Sequence, residues 1–474
     1  MNYLEVTFSE TRARRIALLV AAAMFMNLLD GTVITTALPS MARAFGTSAV
    51  NLNIGITAYL LTVAVCIPAS GWIAERFGAR LVFGSAIGLF IAASAVCGFA
   101  RTMPVFVAAR IIQAVGGALM TPVGRLVVLK TTPKHGLMQA MSMMVWPALV
   151  APILGPPIGG YITTYLGWPW IFFLNVPLGI AAIVAALVLF PDDRPEGQQP
   201  FDALGFALVG AACFTLMFGV DLIGQPKTSA VFITGLIAAG ALLFALAVRH
   251  LLTAPNPLLQ LAAFRIQTFS VSMVGGSVSR LAIGATPFLL PLMFQIGFGL
   301  SAATSGLLVL WLFAGNLGMK SITTPLIRRF GFRGVLLWNG LLTALSILVC
   351  SALMPQTPFV VIVAVLFLGG ASRSLQFTAF SSIQFADIPH AQMNGANTLS
   401  SAMMQLSSSV SVAMGALVLR ASTFFHGRLG AVPNVADFHL AFILVAVVAA
   451  LAVIDVIKLP SDAARAVSRP VAPA

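Results

Sequence analysis

Charge is scarce in this chain. Only 8% of its 474 residues are Asp, Glu, Lys or Arg, and just 13 are acidic, whereas a soluble domain carries about 25% charged residues. That shortage excludes soluble enzymes, nucleic-acid binders and secreted scaffolds. Histidine is scarcer still, with five scattered copies, so the polar cluster that a membrane-embedded enzyme needs at one face has no source here. The four cysteines, Cys66, Cys97, Cys213 and Cys350, lie far apart inside apolar runs without a CxxC spacing. They offer neither a metal site nor a disulfide framework and read as small core residues. No Gly-x-x-x-x-Gly-Lys-[Ser/Thr] loop is present to cradle a nucleotide. No Asn opens an Asn-x-[Ser/Thr] acceptor, which fits a bacterial inner membrane.

What fills the chain instead is apolar: 59% of its residues. A helix crossing ~30 Å of hydrocarbon needs about 20 mostly apolar residues, and runs of that length recur throughout. They predict spans near 15–38, 51–73, 81–100, 104–128, 137–162 and 168–190, then 203–223 and 229–249, then 269–295, 302–325, 334–354, 359–382, 395–420 and 438–458. The expected architecture is all-α and polytopic, with fourteen spans grouped six, two and six. The first run starts just after Arg12, Arg14 and Arg15 and exceeds 20 residues, so it reads as a first span rather than a cleaved signal peptide.

Basic residues outnumber acids 26 to 13. They stand singly or in pairs between apolar runs, with no stripe or tail suited to nucleic acid, and so orient the chain in the bilayer. An even number of spans puts both termini on one side. Seventeen basic residues fall in loops on that side and five on the other, Arg43, Arg101, Lys227, Arg420 and Arg428, a bias that predicts cytoplasmic termini. The remaining four, Arg110, Arg280, Lys320 and Arg373, fall inside spans.

The chain also repeats itself. Glu75-Arg76-Phe77-Gly78-Ala79-Arg80 follows the second span, and Arg328-Arg329-Phe330-Gly331-Phe332-Arg333 follows the tenth, 253 residues on. Pro133-Lys134-His135 and Pro389-His390-Ala391 precede the fifth and thirteenth spans at an offset of 256. Two matches at nearly one offset argue for duplicated six-span halves. The predicted organisation is an N-terminal bundle over 1–191, a linker with two inserted spans over 192–250, and a C-terminal bundle with a cytoplasmic tail over 251–474. Pro191 to Gly197 and Ala254 to Pro257 are the linkers. No loop is long enough for a separate soluble domain.

Asp30 is the one carboxylate deep in a predicted span. An ionised acid there costs several kcal/mol unless it faces a partner or an aqueous cavity, and its setting suits it to bind and release a proton. A fixed structural pairing with Arg110, central in the fourth span, is the alternative. Gln113 lies one turn from Arg110 and, with Met144, is a candidate for lining a substrate cavity. In the fifth span Ala151, Gly155 and Gly159 recur every four residues, with Gly160 beside them. They put small side chains on one face, while Pro152, Pro156 and Pro157 remove backbone donors and bend the helix. Such a helix suits a moving interface between halves or tight static packing. Gly71 to Arg80, with Glu75, Arg76 and Gly78, makes a tight turn whose acid can meet a helix N-terminus or an arginine.

In the second half, Arg280 and Arg373 are expected to face a cavity in a substrate or coupling role, whereas Lys320 reads as snorkelling to the surface. Four intramembrane bases against one acid predict that anionic or neutral amphiphiles are accepted at least as well as lipophilic cations. Met141, Met143, Met403 and Met404 join Met144 on apolar faces, where thioethers adapt to varied ligands or simply pack.

Leu29-Asp30-Gly31-Thr32-Val33 with Ala37-Leu38-Pro39, Gly71 to Arg80, Arg110 to Gly117, Pro152 to Gly160, and Trp170-Ile171-Phe172-Phe173-Leu174-Asn175-Val176-Pro177 form a specific set. On these motifs the chain resembles, over nearly its whole length, the fourteen-span drug:proton antiporters of the major facilitator superfamily, the EmrB/QacA type and its MdtD-like members. The resemblance implies a major facilitator fold, proton coupling through Asp30 and Arg110, a cytoplasmic gate latched at Gly71 to Arg80, and an antiporter helix at Ala151 to Gly160 that marks exporters. Glu75 departs from the usual aspartate of that gate, keeping its charge on a longer side chain. Export of lipophilic small molecules by alternating access is the implied function, with substrate, protons and the lipid bilayer as partners. No cofactor, metal or nucleic acid is expected, and the sequence names no membrane-fusion or outer-membrane partner. A narrower exporter of a metabolite or lipid is the alternative.

Overall fold

A computed structural model describes residues 10–132, 137–191, 200–223, 228–389, 392–427 and 431–460. Pro133 to His135, the linker residues 192–197, His390-Ala391 and the side chains of Glu75 and Met141 lie outside the described residues. Among the described residues the regular structure is helical throughout. That outcome follows from apolar runs in a bilayer, where each backbone N–H and C=O has to be paired within its own segment.

The helices are α1 (Glu10–Ala44), the single turn α2 (Ala49–Leu52), α3 (Ile54–Phe77), α4 (Ala79–Phe99), α5 (Met103–Thr131), α6 (Leu137–Tyr165), the short α7 (Trp170–Phe173) and α8 (Asn175–Leu189). They continue with α9 (Ala203–Leu222), α10 (Ala230–Thr253), α11 (Gln267–Leu292), α12 (Ala302–Cys350), α13 (Phe359–Ile383), α14 (Met393–Phe425) and α15 (Val435–Val456). Twelve stretches among the described residues are long and apolar enough to cross a membrane. The predicted spans 302–325 and 334–354 run together in the 49-residue α12, interrupted where Gly331 leaves the helical region at φ 71°, ψ 164°. Helix α6, some of whose side chains lie outside the described set, is not among the twelve.

The internal repeat has a structural counterpart. Gly78, between α3 and α4, stands at φ 84°, ψ 137°, close to the conformation of Gly331, and both lie where side chains other than glycine are strained. Two residues further on, Arg80 Nη2 donates to the Leu187 carbonyl in the last turn of α8, and Arg333 Nη2 donates to the Ile457 carbonyl just past α15. The two turns therefore share both backbone shape and an arginine that satisfies a helix C-terminal carbonyl.

Packing divides the helices into two groups. Helix α1 packs on α6, α4 on α5 and α8, and α3 on α5; in the other group α11 packs on α14 and α15, and α12 on α13 and α15. The groups meet chiefly along α6 with α12 and α3 with α14. The largest apolar core joins both at the end away from the termini, through Leu29, Ile34 and Phe106 with Phe288, Leu308 and Phe442. Toward the terminus end each group has its own core, around Ile16, Phe83 and Val127 in one and Val271, Leu336 and Ile383 in the other. Helices α9 and α10 pack on each other, and a small cluster of Leu61, Met217 and Ala413 seats α9 on α3 and α14. Only 11% of the apolar stretch of α10 is buried.

Candidate functional site

The carboxylate of Asp30 on α1 is met by donors from two other helices. Arg110 Nη1 on α5 donates to Oδ2 at 2.6 Å, while Gln113 Nε2, one turn on, and Asn175 Nδ2 at the start of α8 donate to Oδ1 at 3.0 and 2.9 Å. Arg110 Nη1 also reaches Gln113 Oε1 at 2.6 Å. Ser94 Oγ on α4 accepts from Gln113 and Asn175 and donates to the Phe172 carbonyl. Asp30 is 4% exposed, and Arg110 and Gln113 are fully buried. The guanidinium lies 4.1 Å from the centre of the Tyr59 ring, a cation–π contact, and the Tyr59 hydroxyl donates to Asn27 Oδ1.

Three donors on two oxygens suit an ionised acid. They leave Arg110 less well served, since its Nε and Nη2 have no hydrogen-bond partner among the described residues. Removing one charge from a buried pair of this kind leaves the other uncompensated, at about 3–5 kcal/mol.

The same stretch of α1 lies against α6. A side chain at Gly155 would strike Thr32, and one at Gly159 would strike the Val33 carbonyl and Thr36. Gly160 presses on the Ala302 carbonyl of α12, and Gly306 of α12 presses on the Pro156 carbonyl. Helix α6 is thus wedged between Asp30's own helix and the other group, at separations only glycine permits. Ala151 is fully buried on this helix. Gln113 belongs to the Asp30 cluster rather than to an open surface, and Met144 lies in the apolar core of the first group.

Arg280 on α11 and Arg373 on α13 are 7% and 9% exposed. Nε, Nη1 and Nη2 of Arg280, and Nε and Nη1 of Arg373, have no hydrogen-bond partner among the described residues. The Arg280 guanidinium lies 5.8 Å from the centre of the Phe377 ring, one turn from Arg373 on α13. Lys320 is half-buried, with Nζ donating to Thr378 Oγ1 at 2.9 Å.

The description "Major Facilitator Superfamily" belongs to a family model that matches residues 20–253. The protein named "Putative multidrug resistance protein MdtD" in Klebsiella pneumoniae subsp. pneumoniae is 37% identical over 445 residues, covering 94% of this chain and 94% of its own length. The chain belongs to the major facilitator superfamily. The relative of the same name in Escherichia coli O157:H7 is 35% identical over 444 residues, with 94% of each chain covered. Among solved structures the fold is similar to a D-xylose-proton symporter, with a TM-score of 0.67 and 15% identity over 96% of this chain and 99% of that one. It is also similar to a bacterial homologue of the lysosomal transporter Spinster in an inward-facing, occupied conformation, with a TM-score of 0.65 and 13% identity over 95% and 97% of the two chains. This facilitator is accordingly a multi-pass membrane transporter and not an enzyme.

At its terminus end, the Gly71 to Arg80 segment of this facilitator ends α3 and begins α4. Gly71 and Trp72 lie in the last turns of α3, and the Trp72 ring packs 4.9 Å from that of Phe201, in the approach to α9. Arg76 is exposed, Gly78 makes the turn and Arg80 caps α8 as described above. Close by, Asp202 caps α9: Oδ1 accepts from the Gly205 N–H at 2.8 Å and meets His250 Nε2 of α10 at 2.7 Å, and Oδ2 accepts from the Leu258 N–H at 2.9 Å. Burial pushes its carboxyl up, but the hydrogen bonds from His250, Leu258 and Gly205 outweigh that and hold it below the usual carboxylate range.

Asn175, Ser94 and Tyr59 complete the Asp30 cluster, and the sequence assigns none of them a role. Asn175 carried a usable signal, as a lone amide at the head of an apolar run. Ser94 and Tyr59 carried none, because a single hydroxyl in an apolar helix is ordinary.

Proposed function

We propose that this facilitator exports lipophilic small molecules from the cytoplasm of a bacterium in exchange for protons, with Asp30 as the proton-binding group and Arg110 as its counter-charge. The buried Asp30–Arg110 pair at 2.6 Å carries the reading. Its carboxylate is the charge that a proton cancels, and Thr32 and Val33, on the same helix, bear on Gly155 and Gly159 of α6, whose neighbours Gly160 and Pro156 bear on α12. Protonating Asp30 withdraws about 3–5 kcal/mol from the pair, and a shift of about 5.5 kcal/mol turns a 1:99 population into 99:1. The proton is therefore of the right size to move the interface.

Fourteen spans account for the chain when α12 is divided at Gly331 and α6 is added to the twelve stretches. On this reading α9 and α10 are inserted between two six-helix bundles and lie outside the transport path. The seventeen-to-five bias of basic residues supports cytoplasmic termini in the inner membrane. The shared core at the far end then closes the outer side, and an ionised, paired Asp30 corresponds to the step after proton release and before substrate loading. Gly71, Glu75, Arg76, Gly78 and Arg80 serve as the cytoplasmic gate, Ala151, Pro152, Gly155, Pro156, Gly159 and Gly160 as the moving helix, and Arg280 and Arg373 as the substrate side of the cavity. Gln113 holds the coupling pair. Multidrug resistance in the name of the relatives supports a broad substrate range.

The test is transport by the purified protein in liposomes that expose the terminus face outward, with a panel of anionic, neutral and cationic lipophilic compounds. Accumulation driven by an imposed proton gradient and abolished by a protonophore is the expected result. Accumulation indifferent to the gradient would refute the proposal.

A further inference from the structure

The charges of the two helix groups are treated differently. In the first, Arg110 is neutralised by Asp30. In the second, Arg280 and Arg373 are buried to more than nine-tenths and five of their six guanidinium nitrogens have no protein partner among the described residues. The described acids of that group are engaged elsewhere: Asp387 with Thr268, Asp437 with His426 and Asn434, and Asp455 with Lys458 and the Gly275 N–H. An unpaired buried guanidinium is expensive, and a fork of free N–H groups matches the two oxygens of a carboxylate or related oxyanion.

Helix geometry relates both arginines to Phe377. Arg373, Phe377 and Phe380 follow at i, i+4 and i+7 on α13, hence on one face. That face meets α11, because Phe377 lies under Arg280 and Phe380 lies against Gly276. Gly276 and Arg280 lie one turn apart on the facing side of α11. A side chain at Gly276 would meet the Phe380 ring at 3.3 Å and Arg280 Nη1 at 3.4 Å, so the three lie together. Although Phe377 faces a neighbouring helix, it is 36% exposed. The surroundings are thus guanidinium nitrogens without protein partners on two facing helices, with the Phe377 ring beside them.

We infer that Arg280 and Arg373 bind the negatively charged head of an organic anion, with its apolar body against Phe377 and Phe380. The inference rests on the transporter reading above and deepens it by naming the substrate class. The full chain in phosphatidylcholine nanodiscs is titrated with 2-naphthoate, the neutral 2-naphthamide and the naphthylmethylammonium cation, and binding is read at equilibrium. Naphthoate is expected to bind about tenfold or more tightly than the amide, the cation most weakly. Arg280→Gln and Arg373→Gln each lower naphthoate affinity about tenfold and leave the amide unchanged, while the Lys variants fall between. Both Gln variants fold, because each removes an uncompensated buried charge.

Equal binding of the three compounds, no binding of naphthoate, or an anion preference retained by both Gln variants overturns the inference. So does displacement of naphthoate by phosphatidylglycerol added to the nanodiscs, which would give the site to a lipid headgroup. Because no proton gradient is used, failure here leaves the coupling reading standing, and failure of coupling leaves the anion preference readable.

Discussion

Asp30 shows how much one residue depends on groups far away in sequence. Asn175 supplies one of its three donors across 145 positions, and Gln113 another across 83. Asn175→Leu removes a donor from a buried carboxylate and leaves Ser94 with one amide fewer, so a loss of about 1–3 kcal/mol is expected. A lower midpoint of thermal unfolding in detergent, with the protein still monodisperse, would show it; an unchanged midpoint would mean that Asn175 is dispensable to the cluster. At Gly155 the constraint is steric. Gly155→Val drives a branched side chain into Thr32 of α1, and overpacking of that kind costs about 1–3 kcal/mol. Transport should fall further than stability, because the collision lies on the path from Asp30 to α12. Uptake assays set beside thermal unfolding separate the two effects.

At the scale of elements, the apolar runs made the helices legible because a bilayer leaves length and hydropathy as nearly the whole signal. The α11, α13 and α15 boundaries fall close to the expected spans. Around 326–333, Arg328, Arg329 and Arg333 suggest a loop, yet one glycine at positive φ suffices to turn the chain between two helical stretches. The repeat offset had marked Gly78 and Gly331 as equivalent, and their shared conformation gives that offset a physical cause. Gly78→Val and Gly331→Val should each destabilise by about 1–3 kcal/mol through backbone strain, and comparable losses in the two variants would be seen by thermal unfolding. The small-residue face of α6 was legible as a close contact, whereas its two partners, α1 and α12, were not, since spacing shows that a face is tight and not what covers it. Likewise Arg110 was legible as a partner for Asp30, but Asn175 and Ser94 reach the cluster only through the fold. The α9–α10 hairpin is held at its base by Asp202. A carboxyl held below its ordinary range lends stability above the unfolded-state value of about 3.9 and loses it as pH falls through the lower, folded-state value. Asp202→Asn should therefore be less stable than the parent at neutral pH, with the difference vanishing in strong acid, as unfolding midpoints across pH would record.

For the molecule as a whole, the two helix groups share their main core at one end and keep separate cores at the other, so a change of access requires the far-end contacts to part. Thr164 Oγ1 accepts from the Ala303 N–H across that seam at 3.2 Å. Thr164→Cys combined with Ala303→Cys should cross-link under oxidation and stop transport, with activity restored by reductant; unimpaired transport by the cross-linked protein would show that the seam does not open. What makes the seam open is the central claim, and proton release by the purified transporter on adding substrate tests it most directly. The parent protein should release protons and pump uphill, while Asp30→Asn, matched in size and still able to hydrogen-bond, should fold with a lower unfolding midpoint because Arg110 loses its counter-charge, and should exchange substrate downhill without releasing protons or accumulating it. An Asp30→Asn protein that still releases protons and pumps against a gradient would contradict the account.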